Sequence, residues 1–229
     1  MSNTTTGQEG VIKFHLDYTP SAPLDASLLG DLMDWREILF TRQLIGQDPA
    51  RYAGYGFGNI SLRLPTAMAT LAGTPGPDRP TDQPIFAISG TQTGHLSPLT
   101  VEYYAVVIAC YPTQNRIVAR GPIRPSSESM THGILYALDA NIGAVMHAHS
   151  PEIWQAAPAL RLPTTAATVP YGTPAMAQEV VRLFAETDCG ARGIFSMGGH
   201  EDGIVSFGPT LADAGRVLLA AQTAATASY

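Results

Sequence analysis

Ala144-Val145-Met146-His147-Ala148-His149-Ser150-Pro151-Glu152 reads as an apolar strand, from Ala144 to His147, that runs straight into a helix start. Residues i and i+2 of a strand face the same side, so His147 and His149 can both direct their imidazoles at one cation. Ser150 is a cap residue, and Pro151 falls in the first helical turn, where its missing N–H costs nothing. Taken alone, a His-x-His pair is also compatible with a satisfied core pair or two exposed rings, so the neighbouring residues decide.

A catalytic zinc site draws about three ligands from protein and leaves one position open. The third candidate is His200, which sits between Gly199 and Glu201-Asp202-Gly203 at a turn between two short apolar runs. Glycine there lets the backbone crowd an ion, while Glu201 and Asp202 are each an extra ligand, a proton shuttle or a solvated carboxylate. Upstream, Ser126-Ser127-Glu128 marks the start of a helix running to about Leu138. Serines at a helix start either cap it or help make an anion site from its unpaired N–H groups. Glu128, in the first turn, can ligate the metal or serve as acid/base. His132, four residues on, either orients Glu128 or is simply packed or exposed. Gly58-Asn59 and Gly90-Thr91-Gln92-Thr93-Gly94 are two further loops able to offer N–H and hydroxyl groups to a phosphate, or plain turns.

Around this centre the pattern predicts an α/β fold with a largely antiparallel central sheet flanked by helices. Residues 1–10 read as disordered and 11–23 as an extended arm with room for one short strand, so 1–26 is a partly disordered N-terminal extension to a single domain spanning 27–229. Leu28, Leu29, Leu32, Trp35, Ile38, Leu39 and Leu44 recur at near-helical spacing and predict one amphipathic helix over 27–45. Strands are expected at 59–63, 85–89, 103–109, 116–118 and 144–147, with a strand pair at 193–197 and 203–207. Helices are expected at 174–184 and 211–227, and a Pro/Gly/Thr-rich loop at 65–84.

Of the 229 residues, 45% are hydrophobic and 14% charged, which matches a packed core and suggests that some surface is buried against other subunits. Thirteen Lys and Arg against nineteen Asp and Glu leave a formal net charge of −6 with no basic block, which argues against nucleic acid or an anionic membrane as partner. Cys110 and Cys189 lie in separate apolar contexts without metal-ligand spacing, so no disulfide framework is expected and a reducing cytoplasm fits. The polar start has no apolar leader, and no run of about 18 apolar residues predicts a membrane span.

In order, Gly58-Asn59-Ile60-Ser61, Thr93-Gly94, Leu99-Thr100, Pro125-Ser126-Ser127-Glu128, His147-Ala148-His149-Ser150, Tyr171-Gly172-Thr173 and His200 resemble the class II aldolase/adducin family from about Trp35 onward. The resemblance implies an α/β/α sandwich assembled as a homotetramer with sites between neighbours. It implies Zn2+, or another divalent cation such as Mn2+ or Co2+, on His147, His149 and His200, with Glu128 as acid/base and resting ligand. Phosphate would fall to Asn59, Thr93, Gly94, Ser126 and Ser127. The activity implied is lyase cleavage of a C–C bond in a small phosphorylated hydroxy-carbonyl substrate through a metal-stabilised enolate, in cytoplasmic carbohydrate metabolism. Epimerisation or dehydration on the same site, and a non-catalytic adducin-like interaction domain, are the alternatives. Three departures stand out. The stretch between His149 and Tyr171 is shorter than in the sugar-phosphate aldolases and lacks their mobile tyrosine acid, Glu201 and Asp202 separate His200 from Gly203, and little chain follows the last helix.

Overall fold

The computed structural model describes residues 10–65 and 83–227. The expected disorder of 1–10 and the expected loop at 65–84 fall almost wholly outside these residues.

An eight-stranded sheet forms the middle layer. Its strands are β1 (His15–Pro20), β4 (Asn59–Arg63), β5 (Phe86–Ser89), β6 (Tyr104–Tyr111), β7 (Arg116–Gly121), β8 (Ala144–His149), β9 (Ile194–Ser196) and β10 (Gly203–Gly208), in the order β1-β7-β6-β5-β4-β8-β10-β9. Every pairing is antiparallel except β1 with β7, which is parallel. The expected arm thus contains an edge strand of the main sheet. Two short strands, β2 (Gly46–Gln47) and β3 (Gly56–Phe57), make a separate ribbon. The helices are α1 (Gly30–Thr41), α2 (Ser129–Leu138), α3 (Pro151–Ala156), α4 (Pro174–Glu186), α5 (Cys189–Arg192) and α6 (Leu211–Thr226).

Parity along the strands assigns side chains to two cores. Ala144, Met146 and Ala148 of β8 and Ile204 of β10 pack with Leu32 and Leu39 of α1 and Leu218 of α6. Val145 and Val205 face the other way and pack with Leu135 of α2 and Val180 and Leu183 of α4. His147 and His149 share the parity of Val145, so the sheet carries both imidazoles on the α2 and α4 side. Helices on both faces give the α/β/α sandwich.

Two predicted helices begin or end elsewhere. The segment 27–45 is broken into a 3-10 turn (Ala26–Leu28) and α1, which stops at Thr41. Asp25 caps the turn by accepting from the Ser27 amide at 2.8 Å. Gln43 is left-handed (φ 58°), and Leu44 and Ile45 are buried from the connecting chain; their apolar character continued the helical spacing without continuing the helix. Likewise α2 begins at Ser129, with Glu128 at the capping position rather than in the first turn. Ser126 caps the preceding turn instead, its Oγ accepting from the Glu128 amide at 3.2 Å.

Candidate metal centre

β8 delivers His147 and His149, and the turn joining β9 to β10 delivers His200. That turn is tight: the His200 amide donates to the Met197 carbonyl (3.2 Å) and the Gly203 amide to the His200 carbonyl (2.9 Å). It also lies hard against the chain at 164–169, where a Cβ at Gly199 would sit 2.2 Å from the Val169 carbonyl. Only glycine fits there, and the close seating turns His200 back over β8.

All three rings are buried. His149 Nε2 lies 3.1 Å from His147 Nε2 and 3.0 Å from His200 Nε2, and the potential ligand atoms of the three residues fall within 4.8 Å of one another. Tetrahedral coordination at about 2.0–2.1 Å per Zn–N bond places nitrogens roughly 3.3 Å apart, slightly more than the two Nε2 contacts of 3.1 and 3.0 Å. The donor chemistry fits as well. Burial holds His147 down to about 4 and holds His149 and His200 well below their ordinary value, helped by the neighbouring rings, so each is neutral at pH 7. His147 Nδ1 faces the Ile204 carbonyl at 3.2 Å; a carbonyl only accepts, so Nδ1 carries the proton and Nε2 keeps its lone pair. The Tyr52 ring (4.7 Å from His149) and the Tyr171 ring (4.6 Å from His200) wall the cluster.

Glu128 is 1% exposed. Thr131 Oγ1 donates to its Oε2 at 2.8 Å, and among the described residues Oε1 has no hydrogen-bond partner. Burial pushes its pKa up to about 7, against smaller opposing effects of Thr131 and the Lys13 charge. The three-imidazole group does not include Glu128. His132 is buried and makes its side-chain bond to Ser61 Oγ (2.7 Å), which also meets the Tyr136 hydroxyl (2.7 Å). The packed reading of His132 is therefore the one realised. Glu201 is exposed, whereas the buried Asp202 carboxylate accepts from Arg51 (3.1 Å) and the Tyr52 hydroxyl (2.5 Å).

Asn59, Thr93, Gly94, Ser126 and Ser127 line a single pocket together with Gly10 and Thr91. Asn59 is opposite His147 across the β4–β8 pairing, so this pocket adjoins the three-imidazole cluster. At Gly94 a Cβ would meet the Gly46 carbonyl at 2.2 Å, so the loop can approach β2 only as glycine. Beneath it Arg36, 1% exposed, donates to the carbonyls of Thr93 (3.2 Å) and Gly94 (3.0 Å). Sequence reasoning missed Arg36, although a charged residue between Leu32 and Leu39 on the apolar face of α1 was a visible anomaly. It also missed Arg51, Tyr52 and Lys13, whose partners lie far away in the chain.

The model of the class II aldolase and adducin N-terminal domain family matches residues 49–229. No curated protein sequence matches the chain. Among solved structures, L-fuculose 1-phosphate aldolase superposes with a TM-score of 0.61 at 18% identity, over 89% of this chain and 85% of that one. YgbL from Escherichia coli, whose description leaves open aldolase, epimerase and decarboxylase, gives 0.58 at 19% identity over 87% of each chain. A sugar-phosphate aldolase from Thermotoga maritima gives 0.59 at 13% identity, over 87% of this chain and 92% of that one. At these identities the likeness concerns the fold.

Proposed function

Because the chain belongs to the class II aldolase and adducin N-terminal domain family, we propose that it is a divalent-metal-dependent lyase that cleaves a C–C bond of a small, phosphorylated hydroxy-carbonyl compound. The observation that carries this reading is the convergence of three neutral imidazoles, with Nε2 contacts of 3.1 and 3.0 Å; the buried Glu128 carboxyl group at the start of α2 and a polar pocket next to His147 accompany it.

His147, His149 and His200 would hold the ion, and a three-nitrogen set with room for another ligand suits zinc, with Mn2+ or Co2+ as other occupants. When bound, such an ion supplies Lewis-acid polarisation of a carbonyl oxygen and offsets negative charge developing on it. Glu128 exchanges the proton at the carbon that loses its C–C bond. Raised to about 7, its carboxyl group is populated in both protonation states at neutral pH, as acid/base work requires. Thr131 fixes Oε2 and leaves Oε1 to meet the substrate. Asn59, Thr93, Gly94, Ser126 and Ser127 would bind phosphate through side-chain donors and backbone N–H groups, on a loop that Arg36 holds from below.

An epimerase or dehydratase could use the same groups on a different substrate. An interaction domain would have no need of three buried histidines stripped of water, which places that reading last. We further propose, from the resemblance of the sequence, a homotetramer acting in cytoplasmic carbohydrate metabolism. Among the described residues no helix is long and apolar enough to cross a membrane. The test is a panel of phosphorylated ketoses and 3-oxo acids incubated with zinc-loaded protein. Cleavage products that disappear on chelation support the lyase; isomerised or dehydrated products alone favour the second reading, and no metal uptake favours the interaction domain.

A further inference from the structure

The chain from Gly10 to Phe14 is built into the site. Gly10 lines the pocket of Asn59, Thr93 and Ser126, and its carbonyl accepts from Thr91 Oγ1 at 3.0 Å. The Val11 amide donates to the Tyr171 hydroxyl (3.2 Å), Asn115 Nδ2 donates to the Lys13 carbonyl (3.1 Å), and Phe14 is buried in the core. These anchors fix the backbone of Lys13, and its side chain returns toward the metal centre. Lys13 Nζ donates to the Tyr171 carbonyl at 3.3 Å and lies 3.2 Å from the centre of the Tyr171 ring. That ring in turn packs 4.6 Å from the ring of His200. Glu128 and His200 both feel the ammonium charge.

The other groups here do not duplicate this charge. The imidazoles are neutral, and Arg51 lies with Asp202 and Tyr52 on the His149 side of the cluster. Lys13 therefore brings a positive charge to the Tyr171 side of the cluster, while the phosphate loops supply neutral donors.

Resting on the metal-dependent reading above, we infer that Lys13 is a substrate-binding residue whose ammonium holds an oxyanion, carboxylate-like in charge, on the part of the substrate beside His200 and Glu128. This contact is separate from the phosphate pocket. It gives the N-terminal segment a role in recognition and favours substrates with an anionic group at each end of the site.

The experiment measures binding of oxalate and of inorganic phosphate, separately and by calorimetry, to protein loaded with one equivalent of zinc. Lys13→Met keeps the aliphatic stem over Tyr171 and removes the charge; Lys13→Arg keeps the charge. We expect Lys13→Met to weaken oxalate roughly tenfold or more and Lys13→Arg to restore most of that loss, as for a charge-assisted hydrogen bond. Zinc content and phosphate affinity should stay as in the wild type. Unchanged oxalate binding in Lys13→Met overturns the proposal, as does equal loss of oxalate and phosphate, which would make Lys13 a strut of the segment. Wild-type protein that holds zinc but no oxalate also overturns it, leaving the metal reading intact, whereas wild-type protein that takes up no zinc defeats both.

Discussion

Replacing Glu128 with Gln should change stability in a pH-dependent way whose size follows from burial. The carboxyl group moves from its ordinary 4.5 to about 7 in the folded chain. Below pH 4.5 both folded and unfolded chains carry the proton and the group costs nothing. Between 4.5 and 7 the unfolded chain releases it while the native state retains it, so stability falls as pH rises; above 7 the loss is complete. At 1.36 kcal/mol per pKa unit the loss is about 3 kcal/mol. Glutamine cannot ionise, and whatever its buried amide costs is independent of pH. The stability difference between Glu128→Gln and wild type should therefore swing by about 3 kcal/mol toward the variant between pH 4.5 and 8, roughly 6–12 °C in Tm for a chain of this size. Urea titrations of chelated protein, followed by the fluorescence of Trp35 and Trp154, read this directly. Other titrating groups are common to both proteins and cancel. Profiles that stay parallel across this range would refute the argument that burial governs Glu128, and with it the acid/base assignment. With zinc restored, the same variant should keep its metal and lose turnover.

Further outcomes follow from neighbouring groups. In metal-free wild type the three clustered histidines, held at about 4 for His147 and lower than usual for His149 and His200, refuse protons that the unfolded chain accepts below pH 6.5. Stability should thus fall on acidification from 6.5 toward 4, outweighing the opposite trend of the single Glu128; a melting series in chelator checks the sign. Gly94→Ala drives a Cβ to 2.2 Å from the Gly46 carbonyl and should cost about 2–4 kcal/mol by forcing backbone movement, measured by denaturation, together with weaker phosphate binding. Ser127→Ala should lower phosphate affinity by calorimetry without changing metal content, and an unchanged affinity would show that the anion pocket lies elsewhere.

Much of the sheet was legible because short apolar runs bounded by turn residues mark strands buried on both faces, as in β5, β8 and β10. Ala144, Met146 and Ala148 alternate with Val145, His147 and His149, and that parity aims both rings at one point. His200 was legible through Gly199 and Gly203, residues that mark a crowded turn. The parallel pairing of β1 with β7 was not, since nothing in His15–Pro20 specifies Arg116–Gly121 as its partner. Nor was the end of α1: Leu44 and Ile45 extend the apolar periodicity but pack from a loop, which composition alone cannot separate from a helix. Tyr52 and Ala53 adopt left-handed φ values of 50° and 54°, a choice that non-glycine residues make only under tertiary constraint. The Lys13–Tyr171 and Arg51–Asp202 contacts bridge distant parts of the chain and leave no local trace.

X-ray absorption at the zinc edge tests the central claim most directly. Protein loaded and desalted should carry one zinc per chain with three imidazole nitrogens at about 2.0–2.1 Å, and His200→Ala should lose the metal or leave two. Sub-stoichiometric zinc in the wild type, or a spectrum without imidazole scattering, would contradict the account.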